Sequence, residues 1–141
     1  MGIRRTAGAA AVSMMALAVV AGCGGSPSGQ NADQCNQFAT SYDTLAAVIS
    51  SGPVDGADAW DAAKRAELDT IRGLADSATD PVAGPLNTLV QGIPDDPLVL
   101  SEPDSESGRA FVDNAEAVAQ ACADDGTTIS LVDFPLLSFT N

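Results

Sequence analysis

The stretch that decides the fold is residues 33–50, which read DQCNQFATSYDTLAAVIS. Its large apolar side chains recur every three or four residues, the spacing that places them on one face of an α-helix. They are Cys35, Phe38, Tyr42, Leu45 and Ile49. The positions between them are mostly polar or small. This pattern predicts an amphipathic first helix that buries a cysteine close to its beginning.

The same periodicity occurs in three later segments. It predicts a second helix over residues 55–77, a short third helix that begins at Asp80-Pro81, and a fourth over about residues 107–124. Proline suits the first position of a helix because it has no N–H to leave unpaired there. Residues 94–106 contain three prolines and several acids and are expected to form a loop. Gly126 is expected to end the fourth helix in a left-handed conformation.

The N-terminal segment has the three zones of a bacterial export signal. Basic Arg4 and Arg5 come first, an uncharged stretch from Ala7 to Ala21 follows, and small residues precede Cys23. This stretch of 15 residues is shorter than the roughly 20 that a helix needs to cross the hydrocarbon core. Small residues directly after the arginine pair favour general secretion over the twin-arginine route. We therefore expect a cleaved signal peptide and no permanent membrane span.

The segment Val20-Ala21-Gly22-Cys23 resembles the bacterial lipobox, in which an aliphatic residue and two small residues precede a cysteine that receives diacylglycerol. The resemblance covers only the first 23 residues. It implies a lipoprotein that is cleaved before Cys23 and anchored through acyl chains such as palmitate to the outer face of the cell membrane. The acidic composition, rich in alanine and proline, is also similar to that of small lipoproteins of high-GC Gram-positive bacteria, a likeness that assigns no site.

The lipobox resemblance divides the chain into three parts. Residues 1–22 are the signal peptide, residues 23–32 are the lipidated cysteine with a flexible tether, and residues 33–141 are a helical extracytoplasmic domain. The mature chain has 141 − 22 = 119 residues. That length suffices for one compact core but not for two lobes that close around a ligand.

A lipid on Cys23 leaves two cysteines, Cys35 and Cys122, which have one possible pairing. Folding outside the cytoplasm favours a disulfide between them. A redox pair is expected as C-x-x-C, and zinc would need two further Cys or His ligands in a chain without His. In an up-down-up-down bundle the first helix begins where the fourth ends, which is where these cysteines lie. The predicted fold is all-α: a small four-helix bundle-like domain with one disulfide and an extended apolar C-terminal tail.

The charge balance bears on partners. Six basic residues oppose nineteen acidic ones, and because two of the six lie in the leader, the mature charge is 4 − 19 = −15. Such a surface repels the phosphates of nucleic acids, so no nucleic-acid partner is expected. It suits simple solvation, a cationic partner or divalent ions.

A search for catalytic residues identifies none. Without His, neither a Ser-His-Asp nor a Cys-His arrangement can form. A Ser-Lys pair could use only Lys64, which is expected to make ordinary surface pairs beside Arg65. The segment beginning at Asp104 resembles a calcium loop, but its glycine comes at the fifth position and Ala115 stands where a bidentate Glu is required. We predict no enzyme, no cofactor and no metal site.

The C-terminal tail is unusually apolar and allows two interpretations. It either packs over the bundle or docks to a partner or the bilayer, and in the bundle it is expected to emerge at the membrane-proximal end. The candidate interaction residues are Leu131, Phe134, Leu136, Leu137 and Phe139.

The sequence therefore predicts a lipid-anchored, non-enzymatic cell-envelope domain that acts as an interaction or binding module for an unknown envelope protein or small ligand. Two alternatives are open. A small carboxylate-dependent enzyme on cell-wall carbohydrate requires close, buried acids in a deep cleft. A carrier of a small apolar ligand requires a cavity between the helices.

Overall fold

The computed structural model describes residues 29–136. Helices are the only regular secondary structure in that range, and no strand occurs in it. The four α-helices are α1 (Ala32–Ser51), α2 (Ala57–Ser77), α3 (Ala83–Gln91) and α4 (Glu106–Asp124), and a 3-10 helix, Pro97–Ser101, precedes α4. The all-α prediction is confirmed. Cys23 and the rest of residues 1–28, together with Leu137 and Phe139, lie outside the described residues. No helix among residues 29–136 has the length and apolarity needed to cross a membrane.

The apolar face of α1 forms the centre of the core, as its spacing predicts. Cys35, Phe38 and Leu45 are fully buried. Burial of a large apolar side chain contributes roughly 1.5–3 kcal/mol, so this stripe accounts for much of the driving force for folding. The other helices close around it with the buried residues Leu68, Ile71, Leu86, Leu89, Leu100, Phe111 and Val118.

One end of the bundle, here called the disulfide end, brings together the start of α1 and the end of α4. Cys35 and Cys122 form the predicted disulfide there. The side-chain carbonyl of Asn31 accepts a hydrogen bond from the backbone N–H of Thr79 at 2.7 Å, so the end of α2 lies at the same place. The backbone N–H of Asn31 donates to the Asp125 carboxylate at 2.8 Å. These contacts establish the up-down-up-down arrangement.

Two helix starts differ from the prediction. α2 begins at Ala57, because Gly56 adopts a positive φ of 101° that interrupts the helical backbone just before it. α3 begins at Ala83, two residues after Pro81. The carbonyl of Thr79 accepts from both Val82 and Ala83, which forms a separate turn before the helix.

The segment predicted as a loop, residues 94–106, contains the 3-10 helix. The Asp96 side chain accepts a hydrogen bond from the Leu98 N–H at 3.0 Å and so caps its beginning. Leu100 is fully buried, whereas Leu98 remains 37% exposed. The buried residues Pro97, Leu100 and Ser101 thus hold this proline-rich stretch against the core.

The tail turns back along the bundle. Gly126 has a φ of 97°, which confirms the left-handed stop, and the Thr127 N–H bonds to the Cys122 carbonyl at 2.8 Å. The chain then runs to the opposite end, where the Leu136 side chain packs on Gly108. A Cβ at Gly108 would lie 2.9 Å from Leu136 Cδ2. The tail emerges at the disulfide end, as the bundle predicts, but residues 134–136 lie toward the opposite end, because apolar contacts with α1 and α4 draw the tail along the bundle.

Candidate functional site

A cavity lies beneath the returning tail, and we call it the tail groove. It has a volume of about 420 Å³ and is bounded by α1, α4 and the tail. Its apolar lining includes Val112, Ala119, Ile129 and Leu131, and its polar lining includes Tyr42, Glu116, Gln120 and Asp133. A pocket of this size is within the range of small-molecule sites.

An aromatic cluster holds the tail against the helices. Phe134 is 9% exposed, and its ring centroid lies 5.5 Å from that of Tyr42 and 5.3 Å from that of Phe111. Tyr42 and Phe111 stack at 5.8 Å with an interplanar angle of 8°. The Val132 N–H also donates to the Asp43 carboxylate at 3.1 Å. The tail is thus fixed by both packing and a hydrogen bond, which gives the groove a defined wall.

Tyr42 is the most unusual residue of the groove. Only 2% of its surface is exposed, yet within residues 29–136 no protein group makes a hydrogen bond with its hydroxyl. Burial raises the pKa of Tyr42 to about 12, and the negative charges of Glu116, Asp43 and Asp133 add to the shift. Glu116 and Asp133 line the groove together with Tyr42.

We expect the Tyr42 phenol to titrate near pH 12 instead of 10. The folded protein keeps this proton over a pH range in which the unfolded chain, with a pKa of about 10, has lost it. The resulting stability is therefore full below pH 10 and is lost as the pH rises toward 12, by about 2–3 kcal/mol. Phenolate absorbance measures the titration directly, because Tyr42 is the only tyrosine. A Tyr42→Phe variant should lack this alkaline loss, and a midpoint near 10 in the folded protein would contradict the expectation.

The lining of the groove mixes apolar side chains with polar ones, two of which are carboxylates. Glu116 and Asp133 are both exposed and make no ion pair or hydrogen bond with any of residues 29–136. In the part of the chain that the structure describes, no three Asp, Glu, Cys or His side chains are grouped closely enough to hold a metal ion. What these side chains offer a ligand is negative charge and apolar contact.

The predicted interaction residues fall in different places. Leu131 lines the groove, Phe134 belongs to the aromatic cluster, and Leu136 is 38% exposed at the opposite end of the bundle. Leu137 and Phe139 lie outside the described residues. Sequence reasoning missed Tyr42 and Glu116 as groove residues. The signal for Tyr42 was a polar hydroxyl in an otherwise apolar helical stripe.

Lys64 is not the surface residue that was expected. Its side chain is fully buried, with Nζ 3.5 Å from the centre of the Trp60 ring and 2.8 Å from Asp61 Oδ1. The spacing of three residues places Asp61 on the same helical face, so the pair forms within α2. Lys64 does not line the tail groove.

Comparisons of the chain with protein-family models, with curated proteins and with solved structures give no match. The features that indicate function are therefore those of the molecule itself: the tail groove, its buried phenol, and the arrangement of the three cysteines.

Proposed function

We propose that this protein is a lipid-anchored, non-enzymatic domain of the cell envelope that binds a partner or small ligand in the tail groove. The groove carries the binding part of the proposal. It combines apolar and polar side chains, two exposed carboxylates, and the nearly buried Tyr42, whose hydroxyl makes no hydrogen bond with any of residues 29–136. A ligand in the groove could form a hydrogen bond with this hydroxyl.

The cysteine arrangement supports the anchor. The Cys35–Cys122 disulfide uses two of the three cysteines, so Cys23 is the one available for lipid. Gly29 packs against Asp125 at the disulfide end. The six residue-to-residue steps from Cys23 to Gly29 span at most about 22 Å when fully extended, so an anchored domain would keep its disulfide end close to the membrane.

The two alternatives receive less support from the groove. A carbohydrate-cleaving enzyme needs an acid that is shielded from water so that it holds its proton, whereas Glu116 and Asp133 are exposed. A carrier of an apolar ligand needs a cavity among the four helices, whereas this cavity lies on the flank beneath the tail. Binding at the groove is the function that fits the observed side chains best.

The anchor is tested by detergent-phase partition of the full chain expressed in a bacterium with a lipoprotein pathway. We expect the native protein to enter the detergent phase and to incorporate labelled palmitate. Cys23→Ala should remain in the aqueous phase after export or accumulate as the uncleaved precursor, without label. Cys35→Ala is the matched control, because it removes a cysteine but leaves the lipidation site. Equal labelling of the native and Cys23→Ala chains would exclude the anchor.

A further inference from the structure

We propose that the ligand of the tail groove is an organic monocation, a primary amine with a short alkyl body. Its ammonium group would lie between Glu116 and Asp133 beside the Tyr42 hydroxyl, and its alkyl body would contact Val112 and Leu131. This inference rests on the proposed binding function and names the chemical class of the ligand.

The charge of the groove is the first support. Its lining contains two carboxylates and no basic side chain. The four basic residues after Cys23 lie outside this lining: Lys64 pairs with Asp61, Arg72 pairs with Asp69, Arg65 donates to the Asp95 carbonyl, and Arg109 is exposed on α4. The carboxylates of the groove therefore have no counter-charge in its lining, and a cation placed between them is attracted by both.

The Tyr42 hydroxyl is the second and independent support. The Tyr42 side chain is 2% exposed, it lines the groove together with the two carboxylates, and its hydroxyl makes no hydrogen bond with any of residues 29–136. A phenol oxygen can accept a hydrogen bond from an ammonium N–H. The ammonium group that the carboxylates attract could therefore also donate a hydrogen bond to the Tyr42 hydroxyl.

The geometry distinguishes an amine from a metal ion. A divalent cation requires several oxygen ligands around one point, and within the described range no such group exists. An ammonium distributes its three N–H donors over separate acceptors. The apolar side chains Val112, Ile129 and Leu131 suit an alkyl body and offer nothing to a hydrated ion.

The experiment uses the full lipidated chain in detergent and isothermal titration calorimetry with hexylamine near neutral pH, with detergent alone as the blank. Hexanol and hexanoate are the matched neutral and anionic probes, and calcium chloride is the divalent probe. We expect saturable heat with hexylamine and none with the other three. Added salt should weaken the hexylamine affinity, because the carboxylates are exposed.

Variants locate the binding. Glu116→Gln and Asp133→Asn should each weaken hexylamine binding by about tenfold, which corresponds to the loss of one charge-assisted contact. Tyr42→Phe retains the ring stack and should weaken it by a smaller factor. Glu102→Gln and Asp113→Asn change exposed acids outside the groove and should leave the affinity unchanged.

The outcomes separate this inference from the proposed function. Binding of hexanol or hexanoate that Tyr42→Phe weakens would overturn the amine assignment but leave the groove as a binding site. Calcium binding that is lost in Glu116→Gln would do the same. No heat with any probe would overturn both the ligand class and the groove, and the palmitate experiment would still decide the anchor.

Discussion

Reduction of the Cys35–Cys122 disulfide is expected to lower the free energy of unfolding by about 4–5 kcal/mol. The two cysteines are 87 residues apart, so the bond restricts most of the unfolded chain. Both side chains are fully buried, and the bond joins α1 to α4 at the disulfide end. For a domain of this size, whose total stability is of the order of 5–15 kcal/mol, such a loss is a large fraction.

Urea unfolding of the full chain with and without reductant measures this effect, with fluorescence of Trp60, the only tryptophan, as the probe. The double variant Cys35→Ala, Cys122→Ala should be destabilised to a similar extent and should no longer respond to reductant. A midpoint that does not move on reduction of the native protein would show that the cross-link contributes little.

Replacement of Asp61 by Asn is expected to destabilise the domain by about 3 kcal/mol, because it leaves a buried ammonium without its counter-charge. Lys64 is fully buried, whereas the Asp61 side chain is 33% exposed. The two members of the pair are therefore not equivalent. Lys64→Met should cost less than about 1 kcal/mol, since Asp61 can be hydrated and a methionine can fill the space beside Trp60.

The same helix provides a matched control. Arg72 and Asp69 form an ion pair with the same three-residue spacing, but both side chains are exposed. Asp69→Asn should change the stability by less than about 1 kcal/mol. Thermal or urea unfolding of the four proteins tests the ranking. If Lys64→Met is destabilised as strongly as Asp61→Asn, the difference in burial between Lys64 and Asp61 does not determine what each substitution costs in stability.

The helical part of the fold could be predicted because burial and periodicity coincide along α1. Every large residue of its stripe is in the core, and the disulfide follows once the helices alternate in direction. The start of α3 could not be read from Pro81. It depends on Asn31, which is 48 residues from its partner Thr79 and holds the preceding turn. A contact between residues so far apart in the chain produces no periodic pattern in the sequence.

The candidate site was less accessible to prediction. The apolar tail could be recognised in the sequence. Its direction could not, because it depends on the packing of the Phe134 ring against Tyr42 and Phe111. In the sequence, nothing separates Glu116 from the other acids of the predicted helices. It lines a groove only because the tail returns along α4. Likewise, the burial of Lys64 depends on Trp60, whose indole N–H donates to the Val48 carbonyl of α1 at 2.7 Å.

The disulfide also determines how the domain would bear mechanical load. A chain held by a lipid at Cys23 and pulled by its surroundings receives the force on the residues that precede α1. On that side of the disulfide only the residues before Cys35 can unravel, because the next link is a covalent bond into α4. Tension then passes directly between two helices and bypasses the hydrogen bonds of α1. The groove, which is formed by α1, α4 and the tail, would keep its shape while the anchor is under strain.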